Sequence, residues 1–270
     1  MPEKIKGKKI SLAVLGYPLK KTLSPELFRM FFKKKKLKAS YTAFRVKPEK
    51  LADFIKQNKE FSGFNLTSPL KEKGLELSSR AYREARLASA ANMIKRAPDG
   101  FTAGNSDAGA FIKSLRGKKF KSACVFGSGG AACAVLLALG RMKTPEVFCI
   151  SASGKRPKAI GNLIRLFPET RYRFMRSKNI APFAELYINA RISTDRNFNF
   201  PAGAEKSFFY DLNYGVNTLF LKKAAQLGAR TKDGKEMLFF QAIESFRFFT
   251  GQKLSKEEMS EIKKQFIGRF

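Results

Sequence analysis

Histidine is absent from all 270 residues. That absence removes histidine general bases, the Ser-His-Asp arrangement and His-ligated metal centres together, so acid–base chemistry falls to Lys, Asp, Glu or Tyr. The three cysteines, Cys124, Cys133 and Cys149, are widely spaced with no Cys-x-x-Cys pair. Each lies in an apolar stretch, where a buried free thiol is the expected state, and no metal is expected. One motif has a direct chemical reading: Val125-Phe-Gly-Ser-Gly-Gly-Ala-Ala. It follows a strand-like stretch and opens a helix-like one, the context a dinucleotide fingerprint requires. Gly127 permits a tight turn through Ser128, and Gly129, Gly130 and Ala131 bring backbone toward a pyrophosphate at a helix N-terminus. Ala132 stands where the usual third glycine would be, and a plain glycine-rich turn in a doubly wound sheet is the competing reading. One strand later, Ser151-Ala-Ser-Gly-Lys-Arg contains no acidic residue to take a ribose 2′-hydroxyl. Lys155 and Arg156 suit the 2′-phosphate of NADP, and Ser151 and Ser153 are expected beside the cofactor.

The elements that must position these residues alternate between strand and helix at close spacing, the pattern of an α/β protein with parallel strands. In the first third, residues 10–15, 41–46 and 61–66 read as strands. Residues 25–37 and 48–58 read as the helices between them, each with proline near its first turn. A second series begins at Ala123, with strands at 123–126, 146–150, 186–189 and 208–212 and helices at 131–139 and 160–167. The tail is helical in pattern at 219–227, 237–249 and 255–266. A boundary is expected near residues 104–120.

Hydrophobic residues make up 44% of the chain, enough for a packed core. No apolar run approaches the ~20 residues of a membrane span. The first nine residues are charged and lack the apolar centre of a signal peptide, so the expected location is the cytoplasm, with no membrane partner. The net charge of +31 raises the question of nucleic acid. The basic residues are spread along the whole chain rather than gathered in a tail, which favours a compositional or solubility origin over a nucleic-acid partner.

Further segments carry a resemblance: Gly16-Tyr-Pro-Leu-Lys-Lys-Thr-Leu-Ser-Pro, Gly63-Phe-Asn-Leu-Thr-Ser-Pro-Leu-Lys-Glu, Ala90-Ala-Asn-Met-Ile, Gly104-Asn-Ser-Asp-Ala-Gly, and Tyr210-Asp-Leu-Asn-Tyr with Asp233-Gly-Lys-Glu-Met-Leu-Phe-Phe-Gln. In order and spacing, with the loop at Gly127, they resemble the shikimate dehydrogenase family, which includes shikimate/quinate dehydrogenases. The resemblance implies two α/β domains: a substrate-binding catalytic domain of residues 1–106 and 241–270, and a Rossmann-like, doubly wound NADP-binding domain of residues 107–240. It implies NADPH-dependent reduction of 3-dehydroshikimate to shikimate, in a monomer or homodimer whose partner is a small molecule. Lys71 falls on the family's catalytic lysine and Asp107 on its partner aspartate. Hydride addition to a ketone builds negative charge on oxygen, which a lysine ammonium stabilises and protonates. Thr22 and Ser24 would bind the substrate carboxylate with Tyr214 nearby, and Thr67, Asn92 and Gln241 the ring hydroxyls. Gly234 and Met237 would line the cofactor. A helix N-cap at Ser24 and an exposed helix position at Gln241 are the plain structural alternatives.

Three departures from the family pattern lie on the cofactor side. Ser151-Ala-Ser replaces Asn-Arg-Thr, Glu236 replaces a glycine normally beside the nicotinamide, and Arg191 replaces the threonine of Asn-Ala-Thr. Alternatives left open are a quinate/shikimate dehydrogenase with relaxed or NAD preference, and a non-catalytic, nucleic-acid-binding descendant of the fold.

Overall fold

The computed structural model describes residues 10–19, 22–151, 154–176, 180–191, 198–214 and 218–268. By its internal contacts the chain divides into two compact units, Met1–Arg86 with Ala90–Ser106 and Leu238–Phe270, and Leu87–Ser89 with Asp107–Met237.

The first unit begins with β1 (Ile10–Gly16), α1 (Ser24–Lys34), β2 (Ala39–Arg45), α2 (Leu51–Gln57) and β3 (Gly63–Leu66). Then follow α3 (Lys71–Glu76), β4 (Arg80–Ala81), α4 (Arg83–Ala88), β5 (Met93–Ala97) and β6 (Gly100–Gly104). Its sheet has the order β2-β1-β3-β5-β6-β4, with β1 parallel to both neighbours and β5 antiparallel to β3 and β6. The β5–β6 hairpin was not expected from the sequence. Its strand Met93-Ile-Lys-Arg-Ala carries two cations, which hide the alternation. Arg96 is accommodated because its guanidinium donates to the carbonyls of Phe61 (2.8 Å) and Asn58 (3.0 Å) and lies 5.0 Å from the Phe101 ring centre. Gly100 turns the hairpin at φ +128°, a region other residues rarely adopt.

The second unit contains α5 (Asp107–Ser114), β7 (Ser122–Phe126), α6 (Gly130–Arg141), β8 (Glu146–Ser151), α7 (Ile160–Leu166) and β9 (Arg171–Arg176). It continues through β10 (Leu186–Asn189), β11 (Phe208–Asp211), α8 (Leu219–Gln226) and β12 (Arg230–Lys232). All six strands are parallel in the order β12-β11-β10-β7-β8-β9. This is the doubly wound arrangement, whose direction of winding reverses between β7 and β10; ligands bind outside the carboxyl ends of the strands at such a point. The two edge strands β9 and β12 escaped the sequence reading because they are rich in Arg and Lys, which edge positions tolerate and favour. The core of this unit is strongly aromatic: Phe126, Tyr187, Phe198, Phe209 and Phe220 are all nearly or fully buried.

The chain ends with α9 (Lys235–Thr250) and α10 (Lys256–Ile267). From Leu238 onward these belong to the first unit. Phe246 of α9 meets Phe31 of α1 with ring centres 5.4 Å apart, and Lys35 beside α1 pairs with Glu258 of α10 at 2.6 Å. Ser255 and Glu258 start α10 with reciprocal side-chain–backbone bonds, a capping box. No described helix is long and apolar enough to cross a membrane.

Candidate active site

In the first unit, two of the three residues expected to hold the ring hydroxyls, Asn92 and Gln241, meet around buried Asn92. Its amide nitrogen donates to Ser106 Oγ at 2.8 Å and to Gln241 Oε1 at 3.3 Å, and its Oδ1 accepts from the Ser106 backbone N–H at 3.0 Å. Asn92 and Gln241 are thus brought together, although 149 residues separate them in the chain. The sequence reading did not single out Ser106 or Asn65. Asn65 is also buried; its amide donates to Asn92 O (3.0 Å) and Ser245 Oγ (2.9 Å), and its Oδ1 accepts from Tyr41 O–H (2.8 Å). The signal available for both was their place inside the quoted motifs, next to the selected residues.

Thr22 and Ser24 lie together at the start of α1. Thr22 Oγ1 donates to Ser24 Oγ at 3.2 Å and accepts from the Ser24 N–H at 3.3 Å. Ser24 is the first residue of α1 and not its cap: the cap position is Leu23, with no side-chain capping bond. Thr67 follows β3 and its N–H donates to Leu15 O at 2.9 Å. A side chain on Gly16 would put its Cβ 2.3 Å from Thr67 Cγ2, so the bare backbone there lets Thr67 close against β1. Lys71 opens α3, is half-buried, and its carbonyl accepts from the Ala91 N–H at 2.8 Å. That bond ties the residue to the segment carrying Asn92.

In the second unit, Asp107 opens α5 and is 4% exposed. The glycine-rich loop leaves β7 with Gly127 at φ +131°, and a Cβ there would sit 3.2 Å from Ala190 O, so glycine is required twice over. Gly129 caps α6 with open space where its Cβ would be, Gly130 and Ala131 are the first helical residues, and the first turn holds no acid. Exposed backbone N–H groups at a helix start, free of side-chain cover, fit a dinucleotide phosphate. Ser128 Oγ lies 3.1 Å from Ser151 Oγ at the end of β8, which joins two of the expected cofactor residues. Lys155 and Arg156 are exposed beyond β8; Ser153 lies outside the described residues.

A buried carboxylate organises the other half of this edge. Asp211, fully buried at the end of β11, accepts from Asn189 Nδ2 (3.1 Å) and from the Asn213 N–H (2.9 Å) and Nδ2 (2.7 Å), and Thr218 O–H donates to its second oxygen. Asn213 in turn donates to Arg191 O (2.9 Å) and accepts from the Gly234 N–H (2.9 Å). Gly234 has no room for a side chain, since a Cβ would stand 2.1 Å from Leu212 O. Met237, in the first turn of α9, is buried, and Tyr214, after β11, is half-buried. Burial pushes the Asp211 carboxyl above its usual range, against the opposing pull of its hydrogen bonds.

Two departures from the family pattern have local accommodations here. Arg191 stacks its guanidinium on Phe126 and Phe198, 5.4 and 5.6 Å from the ring centres. Glu236, 5% exposed, accepts from Arg116 Nη2 (3.0 Å) and Nε (3.2 Å), and from Lys232, whose ammonium also donates to Ser114 O (2.7 Å). Its charge is therefore neutralised inside the unit. The three cysteines are buried, and burial raises the Cys149 thiol to about 12, so it stays protonated and unreactive at neutral pH.

Comparison with known proteins finds similarity over nearly the whole chain. The family model of the shikimate dehydrogenase substrate binding domain matches residues 14–94. A shikimate dehydrogenase (NADP(+)) of Oleidesulfovibrio alaskensis is 31% identical over 260 residues, covering 89% of this chain and 90% of the relative. One from Caldanaerobacter subterraneus is 29% identical over 259 residues, 90% of this chain and 92% of that one. Among solved structures, the shikimate 5-dehydrogenase of Thermus thermophilus, in complex with NADP(H) and shikimate, superposes with a TM-score of 0.76 at 28% identity. That match covers 95% of this chain and 99% of the other. On these grounds the chain belongs to the shikimate dehydrogenase family.

Proposed function

We propose that this chain reduces 3-dehydroshikimate to shikimate with NADPH. The observation that carries the reading is the match to a relative solved with both NADP(H) and shikimate, at 28% identity over 95% of this chain and 99% of the relative. We assign substrate binding to the first unit and cofactor binding to the second. When bound, NADPH supplies the hydride for the C3 ketone. The residues that fit it are the bare loop Gly127–Gly130 at the start of α6 and the Ser128–Ser151 pair.

Lys71 delivers a proton from Nζ to the ketone oxygen as that oxygen gains charge, and the ammonium stabilises the charge until transfer is complete. We assign Asp107 the role of that lysine's partner aspartate, as the family resemblance implies. The Asn92–Ser106–Gln241 cluster supplies amide and hydroxyl partners for the ring hydroxyls, while Thr22 and Ser24 offer hydroxyls to the carboxylate. Thr67, packed on Gly16, adds a hydroxyl for the ring hydroxyls. Tyr214 lies on the loop after β11, on the cofactor unit. The direct test is NADPH oxidation on addition of 3-dehydroshikimate; absence of turnover with correctly folded chain would remove the reading.

Two further results are expected. Both ligands are anions and the chain carries +31, so long-range attraction raises their encounter rates. Salt at a few hundred millimolar brings the Debye length below ~8 Å and screens that attraction. We therefore expect kcat/KM to fall several-fold with salt while kcat changes little; a flat salt response refutes steering. Separately, the double variant Lys155→Ala, Arg156→Ala is expected to raise KM for NADPH by roughly tenfold, the scale of charge-assisted bonds to a phosphate. KM for NADH, which lacks the 2′-phosphate, should hardly move. Equal effects on both cofactors would reduce the two residues to surface charge.

A further inference from the structure

We infer that Arg176, at the carboxyl end of β9, takes over the grip on the adenosine 2′-phosphate that the missing arginine of the segment after β8 would provide. The inference rests on the NADP reading above and names a residue on a different strand. Three observations converge on it.

The first is register. β8 and β9 are parallel and Ser151 stands directly beside Arg176, so Arg176 leaves the sheet at the edge where the loop after β8 receives the ligand. The second is the cleft this creates, of about 390 Å³, lined by Ser151, Gly154, Lys155, Arg156, Phe174 and Arg176 among others. No acidic residue is among the described residues lining it. A ribose 2′-hydroxyl would find no carboxylate to accept its proton, whereas a dianionic phosphate meets three cations. The third is the way the cations are held. Phe174 and Arg176 are two residues apart and so share one face of β9. Arg156 lies over the Phe174 ring at 5.5 Å and lines the same cleft as Arg176. Gly154 turns at φ +72°, a conformation that favours glycine, and its Cβ position lies 3.6 Å from Arg176 Nε, which sets the backbone after β8 against that guanidinium.

Arg173, three residues earlier, makes the contrast. It pairs with Glu146 at 2.9 Å near the opposite end of β8, a structural use that accounts for its presence. Among the described residues no carboxylate pairs with Arg176. An arginine serves better than a lysine here because its planar fork makes two parallel bonds to phosphate oxygens.

The test is fluorescence titration of the purified chain with NADPH and with NADH, and calorimetric titration with 2′,5′-ADP, which carries the phosphate but no nicotinamide. Arg176→Ala should weaken NADPH and 2′,5′-ADP about tenfold or more and leave NADH nearly unchanged. Arg176→Lys should recover part of the loss. If Arg176→Ala weakens NADH by the same factor, or leaves NADPH binding as it was in a wild type that prefers NADPH, Arg176 is not the grip and only this inference falls. If the wild-type chain binds NADH as tightly as NADPH, the inference and the NADP reading fall together.

Discussion

Replacing Lys71 by alanine should lower kcat by a hundredfold or more while substrate affinity changes much less. Removing a positioned acid costs roughly 10²–10⁴ in rate, and removing a stabiliser of developing oxyanion charge costs on a similar scale. A hundredfold is about 2.7 kcal/mol of transition-state stabilisation. The fold should survive, because the tertiary bond Lys71 makes through its backbone, from the Ala91 N–H to its carbonyl at 2.8 Å, does not involve the side chain. The proposed reading assigns substrate binding to other groups, the Asn92–Gln241 cluster and the Thr22–Ser24 hydroxyls, so KM should stay within reach of wild type. Steady-state kinetics with both substrates, beside a circular dichroism spectrum to confirm folding, provide the measurement. A variant with near-normal kcat would take Lys71 out of the mechanism. A variant whose loss lies wholly in KM would make it a binding residue.

Asp211→Ala should destabilise the second unit by about 3 kcal/mol or more, because the substitution strands several buried donors at once. Asn189 Nδ2, Asn213 N–H and Nδ2, and the Thr218 hydroxyl all lose their acceptor. At roughly 2–4 °C per kcal/mol for a chain of this size, the melting transition should drop by about 6–12 °C. Asp211→Asn should behave differently. The amide keeps an acceptor for most of these donors, and its own N–H₂ can donate to the Thr218 oxygen. Burial raises the Asp211 carboxyl in the folded state, so the native chain holds this proton more tightly than the unfolded chain does. The contribution of this residue is therefore full below the ordinary carboxylate pKa and declines as pH rises through the raised folded value. Thermal unfolding against pH should show Asp211→Asn gaining on the wild type across that window, and Asp211→Ala well below both at every pH. Loss of less than about 1 kcal/mol in the alanine variant would mean the network is solvated and dispensable.

The sequence alone determined the local chemistry of the chain. The glycine turn after a short apolar strand, the missing histidine and the alternation of strand and helix are properties of near neighbours, governed by backbone sterics and periodicity that act over a few residues. Gly127 and the parallel strands at 146–150 and 186–189 were legible for that reason, as was the lack of an acid beside Lys155 and Arg156. Resemblance, rather than periodicity, supplied Lys71, Asp107 and the substrate residues. Tertiary structure alone decided what meets what. Nothing in the local sequence joins Asn92 to Gln241, or makes Asp211 the shared acceptor of a strand end, a loop and a helix start. The hairpin of β5 and β6 and the edge strand β9 were hidden by their own cations, Lys95, Arg96 and Arg171 to Arg176. A strand is recognised in a sequence by its buried face. Arg96 is kept in the sheet by carbonyls and aromatic rings, and Arg173 by Glu146, all supplied from elsewhere in the chain. Arg176 is the sharpest case: one of 53 basic residues in the sequence, it becomes distinct only when strand register sets it beside Ser151.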